Sequence, residues 1–329
     1  MPPRVLIAPA PLKEIEPVYG PILRAAGFEL VFPTRNAQMT EAELLEQLPG
    51  CAASLAGSEP YTPRVIAAAA AAGLKVIARA GVGYDGVDVT AATAHGISVT
   101  ITPGTNHDSV AEHTFALILA LAKNVVTQHN KVVAGEWTRR VNQPLRGRTL
   151  GIAGLGRAGK AVALRGLAFG MPVIAHDPLA DATFAAKHDI PLVSLDDLMR
   201  QSDYVSLHMP MLPGTKHLIN ARTLGLMKPT AYLVNTARGG VVNEADLYDA
   251  LQARRIAGAG LDVFDEEPPG RHPLFTLDNV VATAHTAGVD LQSRDDMARC
   301  AAEAIVKLLK GEWPGDWVVN KEVQAKWGR

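Results

Sequence analysis

Cysteine is nearly absent. The chain has two, Cys51 and Cys300, in 329 residues, far apart and outside any CxxC or Cys/His grouping. That excludes a disulfide framework and a cysteine-ligated zinc site, no metal is expected, and both thiols read as reduced and packed, as suits a cytoplasmic setting. An excess of charge is missing too: 32 basic against 33 acidic side chains leave a formal net charge of −1. Such a balance leaves no electrostatic footprint for nucleic acid or an anionic membrane. No run approaches the about eighteen consecutive apolar residues of a membrane span. The opening MPPRVLIAPAPLKE lacks the length and flanks of a signal peptide. A soluble chain is therefore expected. Internal repeats are absent, and the alanine series before Gly73 is the one low-complexity stretch. What the chain does have is apolar material, 48% of its residues, enough for about two domain cores.

The most informative stretch runs from Arg148 to Pro178, RTLGIAGLGRAGKAVALRGLAFGMPVIAHDP. Leu150 to Ala153 reads as a strand that ends directly in Gly154-Leu155-Gly156-Arg157-Ala158-Gly159. A helical pattern follows to Phe169, then a second strand from Pro172 to Ala175. In a dinucleotide site Gly154 permits the tight turn, Gly156 lets backbone approach the pyrophosphate, and Gly159 lets helix pack on strand. The phosphates then meet the free N–H groups of Arg157 and Ala158 at the helix start. Asp177, about twenty residues on, can accept hydrogen bonds from the adenosine ribose. Glycine-rich turns are common; strand, helix and acid together favour a bound dinucleotide.

The rest of the chain alternates strand and helix signals. Upstream, strands are expected at Val5–Ile7, Phe28–Val31, Ala53–Ala56, Val76–Ala78 and Ile97–Thr100. Thr40 and Glu43 form a capping box, and Thr62-Pro63 starts a helix that stops at Gly73. Ser109 to Val126 reads as one long, largely apolar helix, whose Glu112 and His113 need partners if buried. Downstream, strands are expected at Tyr204–Leu207, Ala231–Val234, Gly258–Leu261 and Val280–Thr283. With the two around the glycine turn they make six, as a complete dinucleotide fold requires. The fold class is α/β with parallel sheets. Pattern alone would cut the chain once, near Val141.

Ligands of open α/β sheets bind beyond the carboxyl ends of the strands. Those positions hold His208-Met209-Pro210, Asn235-Thr236-Ala237-Arg238, Asp262-Val263-Phe264-Asp265-Glu266-Glu267, and Ala284-His285. Each has a bland reading: Arg238 a surface charge, Glu267 a solvated loop acid, His285 a satisfied core histidine. Their convergence on one sheet edge favours chemistry.

These segments, GLGRAG, HDP, NTARGGVVNEADL, AGAGLDVFDEEP and His285, with RAGVGYDGVD and SVAEHT upstream, resemble the D-isomer-specific 2-hydroxyacid dehydrogenases over nearly the whole chain. One departure is that Ala284 stands before His285 where the family often has proline. The resemblance implies two doubly wound domains, a Rossmann NAD-binding domain at about 103–286 inserted in a flavodoxin-like substrate domain of 1–102 plus 287–329. It implies Arg238 as the substrate-carboxylate arginine and Glu267/His285 as the acid–base pair. Asp262 would contact the nicotinamide amide, with His208, Met209, Thr236 and Ala237 lining the cofactor, and Gly81 and Val82 would donate backbone N–H groups to the substrate carboxylate. It further implies a homodimer held through the apolar helix and the Trp137 segment.

The residue chemistry agrees. Oxidising a 2-hydroxy acid requires a base for the hydroxyl proton, and neutral His285 can serve, returning the proton in reduction. An anionic Glu267 on the other ring nitrogen would fix the tautomer and favour the imidazolium. Arg238 offers a planar fork for a carboxylate. Asp177 would repel a 2′-phosphate, so NAD is expected over NADP. Glu59, placed by resemblance at the substrate, would repel a phosphate dianion, so a small unphosphorylated 2-keto acid is expected rather than the phosphoglycerate dehydrogenase substrate. Arg139 and Arg140 are the counterweight. A dinucleotide-sensing corepressor would need the same fold without turnover, and long disordered extensions are lacking. A methyltransferase is disfavoured by the six strands, and a formate dehydrogenase by Glu267, where that group carries an amide.

Overall fold

The structure, a computed structural model, describes residues 2–327. Contacts divide the chain into two units, Met1–Asn106 with Asp290–Arg329, and His107–Val289. In the first, strands β1 (Arg4–Ile7), β2 (Glu29–Val31), β3 (Cys51–Ala56), β4 (Val76–Arg79) and β5 (Ser98–Thr100) form one parallel sheet in the order β2-β1-β3-β4-β5. A parallel sheet is covered on both faces, so its strands read as continuous apolar runs. Val5 and Ile7 pack with Tyr19, Leu23 and Ile305 on one face, while Leu6 and Ala8 pack with Leu44, Ile66 and Ile97 on the other, the two-residue alternation of a strand. The helix Leu291–Leu309 returns from the far end of the chain. Its Ala298, Ala301 and Ala302 lie in the first of those clusters. The capping box of Thr40 and Glu43 is present, and Thr62 accepts from Val65 N–H ahead of Pro63.

In the second unit, β6 (Leu150–Ala153), β7 (Val173–His176), β8 (Tyr204–Leu207), β9 (Tyr232–Asn235), β10 (Gly258–Leu261) and β11 (Val280–Ala282) are parallel in the order β11-β10-β9-β8-β6-β7. Beyond β7 lies a stub of pairing, Ala175 with Leu192, where Ala175 N–H donates to Pro191 O at 2.9 Å and Val193 N–H to Ala175 O at 2.9 Å. Counting that stub as a third strand, the order is the doubly wound 3-2-1-4-5-6 with β11 added at the far edge, and it reverses between β6 and β8. The six strands expected from sequence are all there, but one strand of the dinucleotide fold has shrunk to a bridge and β11 is an addition.

The single helix expected over Ser109–Val126 is two, His107–Ala122 and Val125–Val133, bent by 58°. Asn124 sits between them in the left-handed region, φ 51°, which asparagine tolerates better than most residues. The first helix buries Phe115, Leu117, Ile118 and Leu121, whereas the second buries none of its residues. Among the described residues no single helix is long and apolar enough to cross a membrane.

Candidate active site

The glycine turn after β6 lies where the strand order reverses. Gly154 has φ 98°, and a Cβ there would come within 2.7 Å of the His208 carbonyl carbon, so the backbones leaving β6 and β8 touch. A Cβ on Gly159 would stand 2.0 Å from Gly154 O, which seats the helix Arg157–Ala168 directly on the turn. Arg157 and Ala158 occupy its first turn, with Gly156 before it and no side-chain cap, leaving N–H groups available to an anion. Asp177, just past β7, is fixed over this turn: Oδ2 accepts Leu155 N–H at 2.8 Å and Oδ1 accepts Leu179 N–H at 2.8 Å. Burial holds the His208 imidazole down at about 4, hence neutral, with Nε2 2.8 Å from Ser206 Oγ. Met209 is buried beside it. A tight turn with no room for a Cβ at Gly154 or Gly159, a helix start and a fixed carboxylate together suit a dinucleotide, phosphates at the helix start and ribose at Asp177.

The ends of β9, β10 and β11 carry the remaining groups. Glu267 places Oε2 2.6 Å from His285 Nδ1 and accepts Phe264 N–H on Oε1 at 3.0 Å. Burial raises the Glu267 carboxyl, but the hydrogen bonds from His285 and Phe264 and the charges of His285 and Arg238 outweigh it and hold the group below its ordinary value. Arg238 follows β9 with Nη1 on Ala237 O at 2.6 Å. Asn235 shapes that turn, accepting Ala237 N–H at 3.0 Å and donating to Arg238 O at 2.9 Å. Thr236 Oγ1 meets Thr114 Oγ1 at 3.0 Å.

His285 has φ 52°, and its turn is built around Asp262. That carboxylate, 1% exposed, accepts Thr283 Oγ1–H at 2.6 Å and Thr286 N–H at 2.9 Å on Oδ1, and Ala287 N–H at 2.8 Å on Oδ2. The backbone joins in, with His285 N–H donating to Asp262 O at 2.8 Å. The helix His107–Ala122 closes the arrangement: His113 Nε2 lies 2.9 Å from Thr283 Oγ1 and 3.5 Å from Asp262 Oδ1, and Ser109 Oγ donates to Ala287 O at 2.8 Å. Both oxygens of Asp262, expected by resemblance to contact the nicotinamide amide, accept hydrogen bonds from the histidine turn. His113, half-buried, has these partners, whereas Glu112 is exposed and meets Arg165 at 3.2 Å.

The remaining expected residues belong to the first unit. Gly81 gives its N–H to Arg79 O at 3.0 Å, and Val82 is exposed. Glu59 is 2% exposed and turns into its own loop, accepting Gly57 N–H at 2.6 Å. Burial raises its carboxyl, only partly offset by Gly57 N–H and the charge of Arg79. A carboxylate withdrawn in this way gives no ground for the repulsion of a substrate phosphate expected from sequence.

The family described as D-isomer specific 2-hydroxyacid dehydrogenase, NAD binding domain, matches residues 115–287. A glyoxylate reductase of Korarchaeum cryptofilum is 40% identical over 304 residues, covering 90% of this chain and 91% of the relative. A D-3-phosphoglycerate dehydrogenase of Methanocaldococcus jannaschii is 41% identical over 277 residues, 83% of this chain, but the chain spans only 53% of that relative's length. Among solved structures, a D-lactate dehydrogenase from Aquifex aeolicus complexed with NAD and lactic acid superposes with a TM-score of 0.84 at 30% identity, covering 96% of this chain and 99% of the other.

Asp262→Asn is expected to turn an amide donor toward N–H and O–H groups that need an acceptor. The loss should be roughly 2–4 kcal/mol of unfolding free energy, read by urea titration. Unchanged stability would mean that the 283–287 turn is held by something else.

Proposed function

The chain belongs to the D-isomer specific 2-hydroxyacid dehydrogenase family, and on that premise we propose that it interconverts a small 2-hydroxy acid and its 2-keto acid with NAD. The observation that carries this reading is the 2.6 Å contact of His285 Nδ1 with Glu267 Oε2, close enough to Arg238 for its charge to act on the carboxylate. With Nδ1 engaged, Nε2 is the nitrogen left for proton transfer. In reduction the imidazolium gives its Nε2 proton to the carbonyl oxygen; in oxidation the neutral ring removes the hydroxyl proton. Glu267 stays ionised and holds the ring in the tautomer that presents Nε2. Arg238 binds the substrate carboxylate through its fork and so orients the adjacent carbonyl. When bound, the nicotinamide supplies or accepts the hydride.

NAD is preferred to NADP because Asp177 would stand against a 2′-phosphate with like charge. The substrate is a small unphosphorylated acid such as glyoxylate or hydroxypyruvate. Support comes from the glyoxylate reductase that is 40% identical over 90% of this chain. A panel of keto acids with NADH and NADPH tests both points. Glyoxylate or hydroxypyruvate with NADH should give the highest kcat/KM, and His285→Ala should lose about 10²–10⁴ in kcat. A kcat/KM highest for 3-phosphohydroxypyruvate, or higher with NADPH, would overturn the assignment.

We further propose a homodimer built on the helix Val125–Val133 and the segment after it. In the single chain Val133, Trp137 and Val141 are 73%, 80% and 101% exposed, an apolar surface that a second copy would cover. Sedimentation at micromolar concentration should give twice the 34.9 kDa chain mass; a stable monomer would refute it.

A further inference from the structure

Behind the acid–base pair lies a second ionisable pair on which the proposed chemistry does not draw directly. Glu244 opens the helix Glu244–Gln252. Its Oε1 accepts Asp265 N–H at 2.9 Å, and its Oε2 lies 3.1 Å from His272 Nε2. His272 Nδ1 accepts Leu274 N–H at 3.3 Å, which puts the ring proton on Nε2, facing Glu244. Both side chains are largely buried, and the His272 ring packs against Phe264 and Phe275 at 5.9 and 5.4 Å between centroids.

An acid in the first turn of a helix has an ordinary explanation, since it complements the helix dipole. Here the cap is already supplied by Asn243, whose side chain accepts Asp246 N–H at 3.1 Å. Glu244 points instead at the loop that carries Glu267. Two consecutive N–H groups of that loop are held by the two glutamates, Phe264 by Glu267 and Asp265 by Glu244. On its other side the loop lies on the Arg238 turn so closely that a Cβ on Gly239 would fall 1.9 Å from the Phe264 carbonyl carbon. Movement of the loop would therefore carry Glu267 away from His285 and disturb Arg238 as well.

We propose that Glu244 and His272 are positioning residues that fix Glu267 at hydrogen-bonding distance from His285. The inference rests on the dehydrogenase reading above. Neither residue touches a reacting atom, and their effect passes through the placement of Glu267.

A double-mutant cycle of Glu244→Ala and Glu267→Gln, with the keto acid turned over best and NADH, tests this. Glu244→Ala alone should lose about 10- to 100-fold in kcat, the cost of a misplacement near 1 Å, while NADH affinity by fluorescence stays unchanged. In the Glu267→Gln background the same substitution should cost nothing further. Glu244→Gln keeps an acceptor for Asp265 N–H but sets an amide donor against His272 Nε2–H, so it should restore the activity only in part. If Glu244→Ala does not fold, His272→Leu, which keeps an apolar side chain against Phe264 and Phe275 and removes the donor, completes the same cycle. Equal losses in both backgrounds, or a matching loss of NADH affinity, would overturn the proposal. Full activity of Glu267→Gln would overturn it too, because Glu267 would then have no role to be positioned for, whereas the absence of turnover of any keto acid by the unaltered enzyme would sink the dehydrogenase reading, which separates the two failures.

Discussion

A carboxylate taken out of water must be met by donors, and Asp262 meets that demand by wrapping the 283–287 turn around itself. The three closest donors to its side chain come from that turn, and its own carbonyl takes the N–H of His285. Holding a histidine at positive φ costs free energy, and the hydrogen bonds to Asp262 offset that cost. The result is a histidine presented at the sheet edge with one ring nitrogen committed to Glu267. The rest of the second unit serves the same end. Parallel strands bring their carboxyl ends to one side, the glycine turn sits at the reversal of strand order, and the helix His107–Ala122 closes over the turn through Ser109 and His113.

Two kinds of negative charge are treated differently here. Asp262 accepts hydrogen bonds on both oxygens from the 283–287 turn and has a structural duty. Glu267 keeps one oxygen for the histidine and one for a backbone N–H, and remains partly open to water. Glu244 stands between, buried against His272 and tied to the loop of Glu267. Three acids within one stretch of chemistry thus differ by their donors, and their donors come from elements distant in sequence.

That distance explains what the sequence could and could not show. The glycine turn, Asp177 and the residues after each strand were legible because strand periodicity and local turn chemistry mark them. The contact of His113 with Thr283 spans 170 positions, and no local pattern encodes it; the need for a partner was readable, its identity was not. Glu244 stood in view within NEADL, but its contact with His272 depends on how the loop after β10 folds back. Asn124 breaks what periodicity joins into one helix, because the apolar pattern continues through a left-handed residue. Glu59 was readable as an acid near the end of β3, yet the tight turn that buries it depends on Gly57. The alternation of strand and helix also runs on across both units, so pattern alone suggests a cut near Val141, inside the second unit.

The proposed partnership of Glu267 and His285 as one acid–base pair is read in the pH dependence of kcat/KM for keto-acid reduction in Glu267→Gln. Reduction needs the imidazolium, which an adjacent anion favours. Removing that anion should move the alkaline limb of the profile to lower pH. A profile that keeps its position would contradict the coupling, and with it this account of the site.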